Sequence, residues 1–346
     1  MTTGMKKVLL SLAALFLTFA GYSQKPELEW GVTFGTVFDN REGDSKITDT
    51  RTFFQTQLAP EIGLSLDSGR HTVMAGAVWT QPVGTPWREG SLVPTVYYRY
   101  RRGGVRGALG MFPRSLLVRK MPDYIWNDSN YYTQRNIRGG AVSIEDARGF
   151  AEGVIDWRGM QTETRREAFN IIIRGEGGKA GSWIRGGGLV MMNHLALTHH
   201  SPDDEHIVDN FVYNPYVAFD PGSRMESLDS LTVRVGILGS ISRHRAETRW
   251  RKPFGGWLEA DLQWKWLGFH NTLYIGGKLF PCYSEFGALL DQGEPYYRSE
   301  WYERATVFAK LVKSRNVDLR ASLDFNFAKS NFTFYQRLLL TVTFGK

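Results

Sequence analysis

The chain has 346 residues and a formal net charge of +7, a surplus too small over this length to indicate a nucleic-acid partner. Its single cysteine excludes an intrachain disulfide framework. Glycine (37 residues) and aromatic residues (11 Trp, 15 Tyr, 21 Phe) are abundant. Beyond residue 20, no apolar run reaches the roughly 18 residues that a membrane-spanning helix needs.

The N-terminus has the order of a secretory signal. Lys6 and Lys7 precede an apolar run over residues 8–20, and the small residues Gly21 and Ser23 follow. The run is too short to span a bilayer, and this order of charge, apolar core and small residues is typical of a cleaved leader. We predict a signal peptide over residues 1–23 and an exported domain over residues 24–346. No cysteine lies near the cleavage point, so we expect no lipid anchor.

Strand-like alternation of apolar and polar residues recurs along the exported domain. It is clearest over residues 317–327, where Leu319, Leu323 and Phe327 share one parity and Asp318, Arg320 and Asp324 share the other. Successive strand side chains point to opposite faces, so one face needs an apolar environment and the other needs water. The predicted segments are 30–38, 54–66, 73–79, 93–101, 105–112, 141–145, 150–157, 168–174, 183–195, 211–219, 231–241, 258–266, 272–279, 305–311, 317–327 and 332–344.

The connections between these segments alternate in length. The longest are 81–90, 113–139, 196–210, 242–255 and 280–304, and most of those between them are short, with 220–230 as the exception. Long loops at one end and short turns at the other are typical of outer-membrane barrels. A soluble sandwich has no reason to sort its connections in this way. We therefore predict an all-β fold, a transmembrane antiparallel up-and-down β-barrel of about 14–16 strands.

The last segment carries a resemblance to a known class. Leu338, Leu340, Val342 and Phe344 alternate with Arg337 and other residues up to the C-terminus. This pattern resembles the final strand of Gram-negative outer-membrane barrels, and the composition resembles their Bacteroidota members. The resemblance covers residues 24–346. It implies a location in the cell outer membrane, contact with lipid and lipopolysaccharide, and recognition of the strand ending at Phe344 by the barrel-insertion machinery.

Charged residues on the inward parity are the predicted lining of the lumen. They are Arg234, Glu259, Asp261, Lys265, Lys278, Lys310, Asp318, Arg320, Asp324 and Arg337. They form either a ladder of ion pairs or a polar path whose charges select solutes, and both can hold. A wall of 16 strands leaves room for an aqueous channel. We predict a porin-like channel for small polar or anionic solutes, without enzymatic activity, cofactor or metal. Leu323→Arg should impair insertion, whereas Asp324→Arg should leave folding nearly intact.

Aromatic residues are concentrated in two long connections. Trp126 lies in the first, and Tyr296, Tyr297 and Trp301 lie in the second. Such residues suit either sugar stacking or a rim at the membrane interface, where Trp and Tyr are enriched. We favour the rim. A barrel that only displays these loops as a binding surface is a further alternative.

One loop holds the only candidate catalytic group. His199-His200-Ser201 resembles the His-x-Ser pair of outer-membrane phospholipase and of the lipid A deacylase. The resemblance implies a lipid hydrolase with Ser201 as nucleophile and His199 as base. Pro202 would interrupt the strand that those enzymes need. The spacing of His199, His200 and the following carboxylates matches no defined zinc motif, so we predict no metal ligands here.

Overall fold

A closed barrel of 16 antiparallel strands forms the described part of the chain. The computed structural model describes residues 25–221, 225 and 227–345. Each strand pairs with its neighbours in sequence, and β1 pairs with β16 to close the barrel. The strands are β1 (Glu27–Asp44), β2 (Arg51–Leu66), β3 (His71–Pro82), β4 (Ser91–Arg102), β5 (Val105–Pro113), β6 (Asn136–Asp146), β7 (Gly149–Gly159), β8 (Ala168–Gly177), β9 (Ile184–Leu195), β10 (Val208–Phe219), β11 (Ser230–His244), β12 (Phe254–Trp264), β13 (Leu267–Gly276), β14 (Trp301–Lys313), β15 (Val317–Ala328) and β16 (Asn331–Gly345).

The predicted fold is confirmed, including the segment over residues 141–145, which lies within β6. The predicted signal peptide lies outside the described residues. In the described ranges no helix is long and apolar enough to cross a membrane.

The wall is apolar outside and polar inside. On β15, Leu323 is 45% exposed on the exterior while its neighbour Asp324 is fully buried in the interior. The strand period of two makes this inversion possible, because an apolar exterior suits lipid and polar side chains can pair within the lumen.

The two ends of the barrel differ as the connection lengths predict. Short turns such as 67–70 and 103–104 join strands at one end, and the long loops join them at the other. The first and last described strand ends, Glu27 and Gly345, lie at the short-turn end. In the turn after β2, Asp67 and Ser68 both have a φ of 54°. Two successive positive φ values match a tight hairpin turn.

Two long connections fold into the lumen. We call residues 114–135 the first inner loop and residues 277–300 the second inner loop. The first contains helix α1 (Asp128–Thr133) and a 3-10 turn (Arg114–Leu116). The second contains helix α2 (Tyr283–Phe286) and 3-10 turns at Gly287–Leu289 and Pro295–Arg298; a further 3-10 turn, Trp87–Glu89, lies between β3 and β4.

The inner loops pack on each other and on inward side chains of the wall. Backbone hydrogen bonds join Asn127 to Gln292 (2.9 Å) and Glu294 to Asp123 (2.8 Å). The rings of Tyr124 and Tyr297 meet edge to face, with centroids 6.1 Å apart. An apolar core therefore lies inside the barrel, where a simple porin would hold water.

The aromatic residues predicted at a membrane rim belong to this core. Trp126, Tyr296 and Tyr297 are completely buried, and only Trp301, at the start of β14, is exposed on the exterior. The rim prediction is therefore wrong for three of the four residues. Their loops turn into the lumen because buried wall residues such as Tyr302 and Tyr335 offer them aromatic partners there.

Candidate functional site

An ion cluster ties the first inner loop to the wall. Asp128 opens α1, whose N-terminus is capped by Asn127 accepting from the Asn130 backbone N–H (3.1 Å). The Asp128 carboxylate accepts from Arg304 Nη2 (2.5 Å) and Arg337 Nη1 (2.6 Å) and also contacts Lys120. Although burial opposes it, these cations hold the pKa of Asp128 well below its usual value.

The cluster continues across four neighbouring strands of the wall, β14, β15, β16 and β1. Arg337 pairs with Asp324 (2.7 Å) and with Asp39 of β1 (3.1 Å), and Arg304 pairs with Asp324 (3.2 Å). All of these side chains are buried. Asp324 and Arg337, both predicted to line a water path, therefore hold the inner loop in place. The expectation that Asp324 tolerates arginine is incompatible with this position.

A cavity of about 400 Å³ lies between the first inner loop and the wall. Six predicted lumen residues line it, namely Arg234, Glu259, Asp261, Arg320, Asp324 and Arg337. Arg234 pairs with Glu259 (2.9 Å) and with Glu176 of β8 (3.0 Å), and Asp261 contacts His270 (2.7 Å). Of the two predicted alternatives for these residues, this arrangement matches the ladder of ion pairs.

The remaining predicted lumen residues lie elsewhere. Lys265 is in the short turn between β12 and β13, and Lys278 is exposed in the second inner loop. Neither is on a strand, so the lumen prediction is wrong for both. Asp318 pairs with Lys313 at the short-turn end. Lys310 is half-buried at a bulge in β14, opposite Arg320.

A second cavity, of about 330 Å³, opens toward the long-loop end. Arg114, Arg135 and Arg158 line it, with Asp156 as an acidic partner. Arg114 Nη2 is 3.5 Å from Asp156, and the Arg114 guanidinium lies 3.8 Å from the centre of the Trp126 ring. One nitrogen of each arginine is buried without a hydrogen-bond partner among the described residues. The cavity wall is therefore positively charged, with donors available to an anion.

Two neighbouring outer loops bring together a carboxylate and two histidines. Glu163 lies in the loop between β7 and β8, and His199 and His200 lie in the loop between β9 and β10. Glu163 Oε2 is 2.7 Å from His200 Nδ1, and Glu163 Oε1 is 3.2 Å from His199 Nδ1. The two Nδ1 atoms are 3.2 Å apart. We call these three residues the outer cluster. All three are exposed.

Backbone hydrogen bonds hold the two loops together. His199 N–H donates to Thr162 O (2.9 Å), and Ala196 N–H donates to Glu167 O (2.9 Å). Arg166 Nε donates to Ala196 O (2.7 Å). The outer cluster therefore lies on a fixed junction between loops, although its side chains face solvent.

A row of rings runs below the outer cluster on the lipid-facing side. Trp157 of β7 stacks on Phe169 of β8 at 5.0 Å, and Phe169 packs on His194 of β9 at the same distance. Trp157 is 40% exposed. Such rings are typical of the level of lipid headgroups, so the outer cluster lies near the membrane surface.

The structure changes the catalytic candidate derived from the sequence. His199 contacts Glu163 and His200, and within the described ranges no hydrogen bond joins it to Ser201. Sequence reasoning missed Glu163, which precedes His200 by 37 residues and belongs to no local motif.

The profile of the lipid A 3'-O-deacylase-type family matches residues 21–344. The chain belongs to this family. The prediction of a protein without enzymatic activity is therefore wrong, since the family is one of enzymes. Comparison with curated proteins gives no match.

The fold of this family member is also similar to that of solved outer-membrane proteins. OprD from Pseudomonas aeruginosa has a TM-score of 0.55 and 9% identity, over 92% of this chain and 94% of that one. OpdK from the same organism has a TM-score of 0.54 and 9% identity, over 92% and 99%. OccK2 from Pseudomonas aeruginosa, in complex with glucuronate, has a TM-score of 0.54 and 8% identity, over 92% of this chain and 98% of that one. The chain is an outer-membrane β-barrel with a porin-like fold.

Proposed function

We propose that the protein hydrolyses an acyl ester of a lipid of the lipid A class at the outer face of the membrane, using the outer cluster. The observation that carries this proposal is the contact of Glu163 with both imidazoles at a hydrogen-bonded loop junction. Membership of the deacylase-type family supports the reaction class. The ring row at Trp157 and Phe169 supports a position near the lipid headgroups.

The chemistry needs a base that is held in position. A carboxylate hydrogen-bonded to one imidazole nitrogen fixes the ring, and the other nitrogen can then take a proton. In the proposed reaction His200 takes a proton from water, whose oxygen attacks the acyl carbon. The ester C–O bond then breaks, His200 gives its proton to the departing alcohol oxygen, and the acyl chain leaves as a free fatty acid. This route uses water directly and does not require Ser201 as nucleophile.

Mass spectrometry of lipid A from cells that produce the protein tests the proposal. We expect loss of one acyl chain with the unaltered protein, and loss of that activity in Glu163→Gln and His200→Asn. Glu300→Gln is a matched control, because Glu300 is an exposed carboxylate at the end of the second inner loop, outside the outer cluster. Ser201→Ala should remain active. Full activity of Glu163→Gln in a folded barrel would overturn the assignment.

A second candidate function is passage of small anionic solutes, and the positively charged outer cavity favours it. Arg135 and Arg158 each offer a guanidinium nitrogen without a partner among the described residues. Guanidinium groups bind carboxylates well. Solved structures with a similar fold include OccK2 with glucuronate and OpdK with vanillate, both carboxylates.

Planar-bilayer recording tests this second candidate. We expect anion-selective conductance that glucuronate reduces, and weaker block by glucuronate in Arg158→Gln. Arg148→Gln is the control, since Arg148 is highly exposed in a short turn outside the cavity. Absence of conductance from folded protein would exclude the channel, because the inner loops would then close the lumen.

A further inference from the structure

We propose that Glu163, His199 and His200 bind one divalent transition-metal ion, with zinc as the best match. The inference rests on the proposed function and deepens it, since it assigns a ligand to the same residues. With an ion bound, activation of water would fall to the ion, and His200 would act as a ligand in place of a base. It rests on three observations: the spacing of the donor atoms, the rigidity of their loops and the chemistry of the donor set.

The donor atoms lie at spacings close to those that a metal requires. The two Nδ1 atoms are 3.2 Å apart, His199 Nδ1 is 3.2 Å from Glu163 Oε1, and His200 Nδ1 is 2.7 Å from Glu163 Oε2. Zinc–nitrogen and zinc–oxygen bonds of about 2.0–2.2 Å at tetrahedral angles place two ligand atoms about 3.4 Å apart. Two of the three distances are close to this value, and a small rotation of the Glu163 carboxylate lengthens the third.

The contact between the two histidines is one that a shared proton or a shared metal ion can satisfy. Neighbouring neutral imidazoles whose Nδ1 lone pairs converge repel each other unless a proton or a metal ion lies between them. Their rings are nearly perpendicular, at 85°, with centroids 4.4 Å apart. Both nitrogens can therefore point to a common position beside the Glu163 carboxylate.

The loops restrict how far the donors can move apart. Besides the hydrogen bonds between the loops, Glu205 accepts from the Thr198 backbone N–H (2.8 Å) and lies 3.4 Å from Arg166. These contacts hold the backbone directly before His199. The ordering cost that a mobile loop would impose on metal binding is thus reduced before the ion arrives.

The donor set selects the kind of ion. Calcium and magnesium prefer all-oxygen sites, whereas imidazole suits zinc and its neighbours in the transition series. Two histidines and one glutamate form the ligand set of catalytic zinc sites that keep a fourth position open. Here the exposed face of the outer cluster leaves that position to water or to a substrate oxygen. A metal there would lower the pKa of bound water toward about 7.

Titration of the tag-free, refolded barrel in detergent with zinc chloride tests the site by calorimetry. We expect one zinc per chain, with at least tenfold weaker binding in His199→Asn and in Glu163→Gln. Cobalt should give the absorption bands of a tetrahedral site in the unaltered protein and lose them in both variants. His206→Asn is the control, because His206 lies in the same loop but outside the cluster. Absence of stoichiometric binding, or equal binding by all variants, would overturn the site.

The outcome separates this inference from the proposed function. Zinc binding that depends on the outer cluster, together with full lipid A deacylation by Glu163→Gln, would support the metal site and overturn the hydrolase assignment. Deacylation that depends on Glu163 but persists after removal of metal by a chelator, in protein that binds no zinc at the cluster, would overturn the metal site alone.

Discussion

Replacing Asp128 by asparagine tests whether the ion cluster holds the first inner loop. Asp128 is buried and receives two guanidinium groups, from Arg304 at 2.5 Å and from Arg337 at 2.6 Å. Because its pKa is held well below the usual value, the carboxylate is charged at neutral pH. Asparagine keeps the size and one acceptor oxygen but removes the negative charge.

The magnitude follows from what the two arginines retain. Removing one partner of a buried ion pair typically costs about 3–5 kcal/mol, since an uncompensated charge stays buried. Arg337 still contacts Asp324 (2.7 Å) and Asp39 (3.1 Å), and Arg304 still contacts Asp324 (3.2 Å). We therefore expect the lower end of the range, a loss of about 3 kcal/mol in the free energy of unfolding.

Urea unfolding of the refolded protein in lipid vesicles, followed by tryptophan fluorescence, measures this loss. Hydrogen exchange should show faster exchange over residues 114–135 and little change in the strands. Asp318→Asn is the matched control. Asp318 is 40% exposed and pairs with Lys313 at the short-turn end, so its pair contributes only about 0–1 kcal/mol.

The reasoning would be refuted if Asp128→Asn and Asp318→Asn had equal effects on unfolding. It would also be refuted if the loss were large but exchange over the first inner loop stayed unchanged. In that case the charge would stabilise the wall and not the docking of the loop.

Three further predictions concern the inner loops and the wall. Burial raises the pKa of Asp291, in the second inner loop, from 3.8 to about 7. The stability that protonated Asp291 contributes is therefore fully present at acidic pH, below the unfolded pKa, and is lost as pH rises through 7. Hydrogen exchange over residues 277–300 should be faster at pH 8 than at pH 5.5, and Asp291→Asn should remove the difference. Leu323→Arg should lower the free energy of unfolding by about 2–4 kcal/mol, because it places a charge in lipid. Asp324→Arg should lower it by at least about 3–5 kcal/mol, because it adds a third guanidinium to the buried cluster. Urea unfolding measures both losses, and a stable Asp324→Arg barrel would contradict the role of the cluster. Gly293→Ala should loosen the second inner loop and expose it to protease, because a Cβ there would lie 2.3 Å from a carbonyl oxygen of the first inner loop. Gly256→Ala is the control, since Gly256 has open space around it and its substitution should have no such effect.

The strands of the wall were predictable because the pattern that identifies each strand lies within that strand's own residues. The alternation around Leu323 and Asp324 follows from the two-residue period of a strand, and the lipid environment fixes which parity faces out. Connection lengths then order the ends of the barrel. None of this requires knowing which distant residues meet.

The inner loops and the outer cluster depend on distant partners, which periodicity does not reveal. The enrichment of Trp and Tyr at membrane interfaces predicts an exposed rim for Trp126 and Tyr296. That prediction fails because an aromatic loop has the same composition inside or outside a barrel. Glu163 and His200 come together only because β7 to β10 are neighbours in the closed sheet. The one available signal in the sequence was that loops 160–167 and 196–207 follow β7 and β9, which run in the same direction, so that both loops lie at the same end of the barrel.

The ion cluster has a consequence for the order of assembly. Asp39 and Arg337 belong to the first and last strands and are 298 residues apart in sequence. Arg337 donates both to Asp39 (3.1 Å) and to Asp128, the group that anchors α1 (2.6 Å). Contacts of such long separation form late in folding. Until β16 pairs with β1, Asp39 and Asp128 lack the guanidinium group of Arg337, and burying them would be costly. We expect a chain shortened before β16 to show rapid hydrogen exchange over residues 114–135. We therefore expect the lumen to fill only after the wall has closed, so that the newly inserted barrel passes through an emptier state than the finished one.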